Sequence, residues 1–204
     1  MDDQLRGKFS RALDDGDADK DAVTKELSAI VGRYNERKRH YHNLEHVTRL
    51  LALCDELEIS DPEIMLAVIY HDVIYRPGSL KNEEKSAAYA RESLGRLGVD
   101  SDVMNQVCEM ILATANHLIP QDDPLTQTLL DLDMSILGSS REDYQAYAEE
   151  VQKEYPWLPE FVFKKKRRQF LERILAEEYI FHTDLFREKF EGSARANIEW
   201  ELGL

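Results

Sequence analysis

Residues Pro62–Tyr75 read PEIMLAVIYHDVIY. Between Ile64 and Tyr70 the run is apolar on every side, which is how a helix reads when its neighbours cover it all round. Pro62, directly after Asp61, stands at the first helical position, where its missing N–H is one of the donors a helix start leaves unpaired anyway. His71 and Asp72 interrupt the apolar run, and Arg76-Pro77-Gly78-Ser79 then breaks the helix. A carboxylate and an imidazole buried side by side must be paired, hydrogen-bonded or metal-bound, because an unpaired buried charge is strongly unfavourable.

A central helix needs others around it, and the rest of the chain supplies them. Leu5, Phe9 and Leu13 mark a first short helix, followed by the acidic loop DDGDAD and a second stripe of Val23, Leu27, Ile30 and Val31. From about Asn43 to Leu57, the residues Leu44, Val47, Leu50, Leu51, Cys54 and Leu57 make a core-facing stripe with His46 at its edge. Downstream, Asn82-Glu83-Glu84 opens a helix with a capping residue and acids in its first turn. Another follows Asp100-Ser101-Asp102, carries Val103, Val107, Met110 and Ile111, and leads through Asn116 to His117 and a loop bracketed by Pro120 and Pro124. The helix TQTLLDLDMSILG sets Asp131 and Asp133 among leucines, and at least one of these acids must be compensated. The C-terminal third is rich in aromatic residues, read as core and lid packing. Alternating strand patterns are missing, so the chain reads as all-α, a single-domain helical bundle over 1–204.

Composition narrows the function. The 204 residues carry 40 acidic against 26 basic side chains, a net charge of −14. That balance disfavours a nucleic-acid polymer as partner, since backbone binding works through clustered cations. The one basic block, Lys164 to Arg168, is flanked by Phe163, Phe170, Leu171, Ile174 and Leu175 and reads as the solvated face of an amphipathic helix rather than a phosphate-gripping patch. Cys54 and Cys108 lie in apolar helical patterns without C-x-x-C spacing, which suggests reduced core thiols. No apolar run approaches membrane-spanning length, and the start MDDQLRGKFS lacks the pattern of a signal peptide, so a cytoplasmic protein with no membrane partner is expected.

The stretch Tyr41–His46, YHNLEH, places two of the six histidines four residues apart, which at helical pitch brings both imidazoles to one face. Three readings fit it: an H-x-x-E-H zinc peptidase with Glu45 as base, a pair of surface histidines, or part of a larger metal cluster. The polar residues set into apolar helices are His42, His46, His71, Asp72, His117, Asp131 and Asp133. Imidazole and carboxylate together suit divalent Mn, Fe, Ni, Co, Zn or Mg. His46, His71, Asp72 and Asp133 are the expected metal ligands. A second ion would share Asp72 and take His117, with Glu83 or Glu84 orienting waters; a helix-dipole role for the two glutamates and a hydrogen-bonded core role for His117 are the alternatives. His42 is positioned to protonate a leaving oxygen, which makes His42 and Asp72 the catalytic candidates. Of the two acids, Asp133 falls on the stripe of Leu129, Leu132 and Ile136, whereas Asp131 points about 200° away and is expected at the bundle surface or behind the ligands.

The order His, His-Asp, Asp on separate helices resembles the HD superfamily of metal-dependent phosphohydrolases over roughly residues 40 to 138, with about 140 to 204 as a C-terminal helical extension. YHNLEH is similar to the Tyr-His-Asn-x-x-His segment of cyclic-nucleotide phosphodiesterases, and the resemblance implies a general acid at His42 and a ligand at His46. The segment DMSIL from Asp133 resembles their aspartate ligand segment, while no counterpart of their purine clamp is found. Small bacterial-type HD phosphohydrolases are closer in pattern, including Ala194-Arg195-Ala196-Asn197. The resemblance implies an HD-type fold and hydrolysis of a phosphate ester, of a nucleotide or another small molecule. The alternatives are a non-catalytic metal- or nucleotide-binding module and a di-iron oxygenase of the same fold. The aromatic C-terminal helices would support a homodimer.

Overall fold

Side chains just ahead of several helices set where those helices begin: Asp19, Asn43, Asp100 and Ser140 each accept a hydrogen bond from a first-turn N–H. The computed structural model describes residues 2–13, 19–115 and 123–204, with side chains from residue 5 onward. The helices are α1 (Asp2–Ala12), α2 (Lys20–Tyr34), α3 (Leu44–Glu56), α4 (Pro62–Tyr70), α5 (Asn82–Arg96), α6 (Ser101–Ala113) and α7 (Pro124–Met134). A 3₁₀ turn (Ser135–Gly138) precedes α8 (Arg141–Lys153), α9 (Glu160–Ala176) and α10 (Asp184–Phe186), and a π turn (Arg187–Glu191) leads into α11 (Gly192–Leu202). The described residues contain no strand, as the periodicity implied. None of their helices is long and apolar enough to cross a membrane. Most of the acidic loop, and the loop bearing His117 and Pro120, lie outside the described residues.

The chain forms two compact units, Met1–Leu129 and Leu130–Leu204, with the boundary inside α7. In the first, α4 is the central element and packs against α1, α3, α5 and α6. Every residue from Ile64 to Tyr70 is buried. Tyr34 on α2 donates its hydroxyl to the Ile69 carbonyl at 3.0 Å, tying α2 to this core.

The apolar run to Tyr75 suggested a longer α4, but the helix stops at Tyr70. Long-range side chains take over the backbone groups beyond it. Arg39 donates to the carbonyls of Asp72 (2.5 Å) and Val73 (3.0 Å). The Ser86 hydroxyl accepts from the Ile74 N–H at 3.1 Å and donates to the Ile74 carbonyl at 3.2 Å. Asn82 does the same for Arg76, its amide oxygen accepting from the N–H and its amide nitrogen donating to the carbonyl, both at 3.1 Å. Asn82 is therefore buried as a staple and does not cap α5; Lys81 stands at the cap position and makes no side-chain cap bond. The turn can leave the helix without orphaned backbone groups, and it carries His71 and Asp72 at its start.

In the second unit α11 packs against the 3₁₀ turn and α9. Asn197 is buried and donates to the carbonyls of Leu137 and Ser139, both at 2.9 Å. Arg167 departs from its basic neighbours. Its guanidinium turns inward, bonds Glu201 through Nε (3.0 Å) and Nη2 (3.1 Å), and donates to the Tyr147 hydroxyl at 2.9 Å. Lys164, Lys165, Lys166 and Arg168 face solvent as expected. The aromatic residues divide: Tyr144, Phe181 and Phe186 are buried, whereas Trp157, Phe161 and Trp200 are exposed.

Candidate metal centre

Asn43, not a histidine, organises the YHNLEH stretch. Its side-chain oxygen accepts from the N–H of Glu45 (2.8 Å) and His46 (3.3 Å), and its amide donates to the His40 carbonyl at 2.7 Å. That makes Asn43 the N-cap of α3. His42 consequently precedes the helix, so the two histidines do not share a helical face through their four-residue spacing. The turn still brings them close, with ring centroids 6.1 Å apart. His42 is half-buried, stacks on Tyr75 at 4.2 Å and 22°, and meets the Tyr41 ring edge-on at 5.0 Å. The peptidase geometry, which needs both histidines on one helix, is not met.

His71 follows the last residue of α4 and is buried, as is His46. The His71 Nδ1 lies 2.9 Å from the Val68 carbonyl oxygen, which can only accept, so Nδ1 carries the proton and Nε2 presents its lone pair. That lone pair faces His46 Nε2 at 3.2 Å and the Asp72 carboxylate Oδ2 at 3.2 Å. The His46 Nδ1 lies 3.4 Å from Arg49 Nη2, which can only donate, so in the absence of an ion His46 Nε2 carries the proton of the imidazole–imidazole contact, and a bound cation would take that proton's place. His46, His71 and Asp133 of α7 offer donor atoms that all lie within 4.8 Å of one another. Two donors bound about 2.1 Å from one ion and about 100° apart are about 3.2 Å from each other, which matches the two imidazoles. The donor set is two neutral imidazoles and a carboxylate with a second carboxylate beside it, a composition suited to a divalent transition ion.

Of the residues predicted from sequence, the structure brings together His46, His71 and Asp133, places Asp72 against His71, and stands His42 beside His46. Glu83 and Glu84 occupy the first turn of α5, half-buried and exposed respectively, and are not members of this donor group. His117 lies outside the described residues. Of the two acids of α7, Asp133 is the one in the donor group, and Asp131 differs from expectation only in its depth. Asp131 is the more buried of the pair, and its carboxylate accepts from the His182 N–H, the Thr183 N–H and the Thr183 hydroxyl, each at 2.8 Å. It is thus no surface residue: segment 182–183 covers the side of α7 that the stripe of leucines left unassigned. Burial pushes the Asp131 carboxyl above the usual carboxylate range, against the pull of those donors, and lowers the imidazole of the half-buried His182.

One neighbour of the candidate site was not visible in the sequence. Arg39, buried with its guanidinium over the rings of Tyr34 (5.1 Å) and Tyr75 (5.6 Å), lies in the turn that leads to His42. Its only local cue is a cation just ahead of the histidine motif, in a chain segment where Arg37 and Lys38 read the same way. Comparison with protein-family models, with curated proteins and with solved structures found no match. The site's chemistry therefore rests on its own residues.

Proposed function

We propose that the protein is a metal-dependent hydrolase of phosphate esters, acting on a nucleotide or a similarly small molecule. The observation that carries this reading is the convergence of His46, His71 and Asp133, with His42 stacked beside them but outside the donor group. A divalent ion held there would screen the charge of a phosphoryl group and make a water acidic near neutral pH. His42, stacked on Tyr75, would give a proton to the leaving oxygen. Asp72, whose carboxylate Oδ2 lies 3.2 Å from His71 Nε2, would orient the attacking water and accept its proton. A purely structural ion would have no use for an imidazole held off the ligands, which favours catalysis over simple binding. The resemblance of the His, His-Asp, Asp order to the HD superfamily points to the same reaction class.

The test compares wild type, His42→Ala and His46→Ala after chelator treatment and reloading with Mn, Fe, Co, Ni, Zn or Mg. Wild type and His42→Ala should take up metal, and His46→Ala should not. Phosphate release from a panel of nucleotides and phosphomonoesters should fall by about a hundredfold in His42→Ala. Reloaded wild type that releases no phosphate from any ester would overturn the proposal, as would loss of metal from His42→Ala.

A further inference from the structure

Arg39 touches both halves of the candidate centre. Its Nη1 donates to the carbonyl of His42 (3.3 Å) and of Asp72 (2.5 Å), and its Nη2 donates to the carbonyl of Val73 (3.0 Å). His42 and Asp72 stand at the two ends of the segment that contains α3 and α4, His42 ahead of the first helix and Asp72 just beyond the second. The guanidinium joins the turn that carries the candidate acid to the turn that carries the candidate ligand His71 and its neighbour Asp72. It is well suited to that task. The group is planar with five donors in a fixed fork, so binding three carbonyls at once fixes their mutual placement, which a lysine ammonium on a flexible stem does not do. Its partner Glu36 lies at 3.4 Å on the exposed side and is half-exposed, so neutralising that carboxylate does not account for the burial of the arginine. The Tyr34 ring below and the Tyr75 ring beside it restrict the guanidinium further, and Tyr75 is the ring on which His42 stacks.

We infer that Arg39 is a positioning residue for the metal centre, setting the distance between the His42 turn and the His71–Asp72 turn through the backbone carbonyls. The inference rests on the metal-binding reading of His46, His71 and Asp133. Arg39 contacts no donor atom, so its effect passes through the backbone. Residues that orient metal ligands from behind typically weaken binding tenfold to a hundredfold (on the order of) when they are replaced.

The test measures metal affinity by competition with a chromogenic chelator for wild type, Arg39→Lys, Arg39→Ala and Asn82→Ala, all at a temperature where circular dichroism shows each variant folded. The Co(II)-loaded absorption spectrum is recorded as a report on coordination geometry. Asn82→Ala is the control for instability alone, because it loosens Arg76 without touching His42, Asp72 or Val73. Arg39→Lys should bind metal about tenfold or more weakly and shift the Co(II) spectrum, while Asn82→Ala lowers the melting temperature of the stripped protein but keeps the wild-type affinity and spectrum. Millimolar guanidinium should restore part of the affinity of Arg39→Ala; if that variant does not fold, Arg39→Lys, which keeps the charge and most of the stem, carries the comparison. Wild-type affinity and spectrum in Arg39→Lys would overturn the inference and leave Arg39 a stabilising residue only. Failure of wild type itself to bind metal would overturn the reading of the site and this inference with it.

Discussion

Replacing Asp131 by alanine should destabilise the protein by about 3 kcal/mol, although the residue lies two positions from a candidate ligand and belongs to a helix whose apolar stripe leaves it out. The magnitude follows from its partners. The carboxylate accepts two backbone N–H bonds and one hydroxyl bond, all at 2.8 Å, from His182 and Thr183. Bonds to an ionised acceptor are each worth about 1.5–3 kcal/mol, for a gross total of about 5–9 kcal/mol. Two effects reduce that total. The donors are only partly buried, so water recovers some of them, and removing the carboxylate releases the desolvation that raises its pKa. A net loss of about 1 kcal/mol per bond remains, a substantial share of the roughly 5–15 kcal/mol that holds a domain folded. Thr183 also caps α10 through its hydroxyl, so the consequence extends to the start of that short helix. Asp131→Asn keeps one acceptor oxygen but turns an amide donor towards another donor, and should recover less than half of the loss. The assay is urea unfolding followed by circular dichroism. Metal content per folded molecule should stay at the wild-type value, because Asp133 and not Asp131 belongs to the donor group. A loss below about 1 kcal/mol in Asp131→Ala would refute the reasoning about its three bonds, and loss of metal from the folded protein would refute the division of labour between the two acids.

Gly138→Ala should cost about 1–3 kcal/mol in the same unfolding assay, because an added Cβ would lie 2.6 Å from the Phe190 Cβ and 2.8 Å from its carbonyl oxygen, and backbone must move to admit it; wild-type stability would contradict this close approach. Stability should hold through neutral pH and fall under alkaline conditions. Burial raises the Cys54 thiol from 9.0 to about 12 and raises the hydroxyls of Tyr70 and Tyr144, so the folded state resists losing these protons and their contribution, complete below the unfolded pKa, is lost as pH rises through the folded one. For Cys54 alone the loss approaches about 4 kcal/mol near its folded pKa, which denaturant midpoints at successive alkaline pH values would reveal, and Cys54→Ala should flatten that part of the profile.

What the sequence made legible was whatever a residue does with neighbours on its own element. The buried sides of α3 and α6 follow from apolar spacing, and the oddity of His71-Asp72 in an apolar run led directly to the centre. The features that were missed depend on partners far along the chain. Around the end of α4 the carbonyls are held from afar, Ile69 by Tyr34 and Asp72 by Arg39, 33 residues away, and no local residue between 71 and 75 is a helix breaker. Asp131 is buried because backbone 51 and 52 residues away covers it, so the stripe of leucines identified one covered side of α7 and was silent about the other. Arg167 leaves a run of exposed cations because Glu201, 34 residues on, meets it in the interior. In each case a charged side chain saturates groups that would otherwise be orphaned in the protein interior, and its sequence neighbours give no sign of it. A buried charge must be compensated, but helical periodicity reports only that a polar residue interrupts a face; whether its partner is a cation, a set of carbonyls or a metal ion is decided by the tertiary fold. That is why His46 and His71 could be nominated from spacing and chemistry, whereas Arg39, which links their neighbours to His42, emerges only from the three carbonyls it binds.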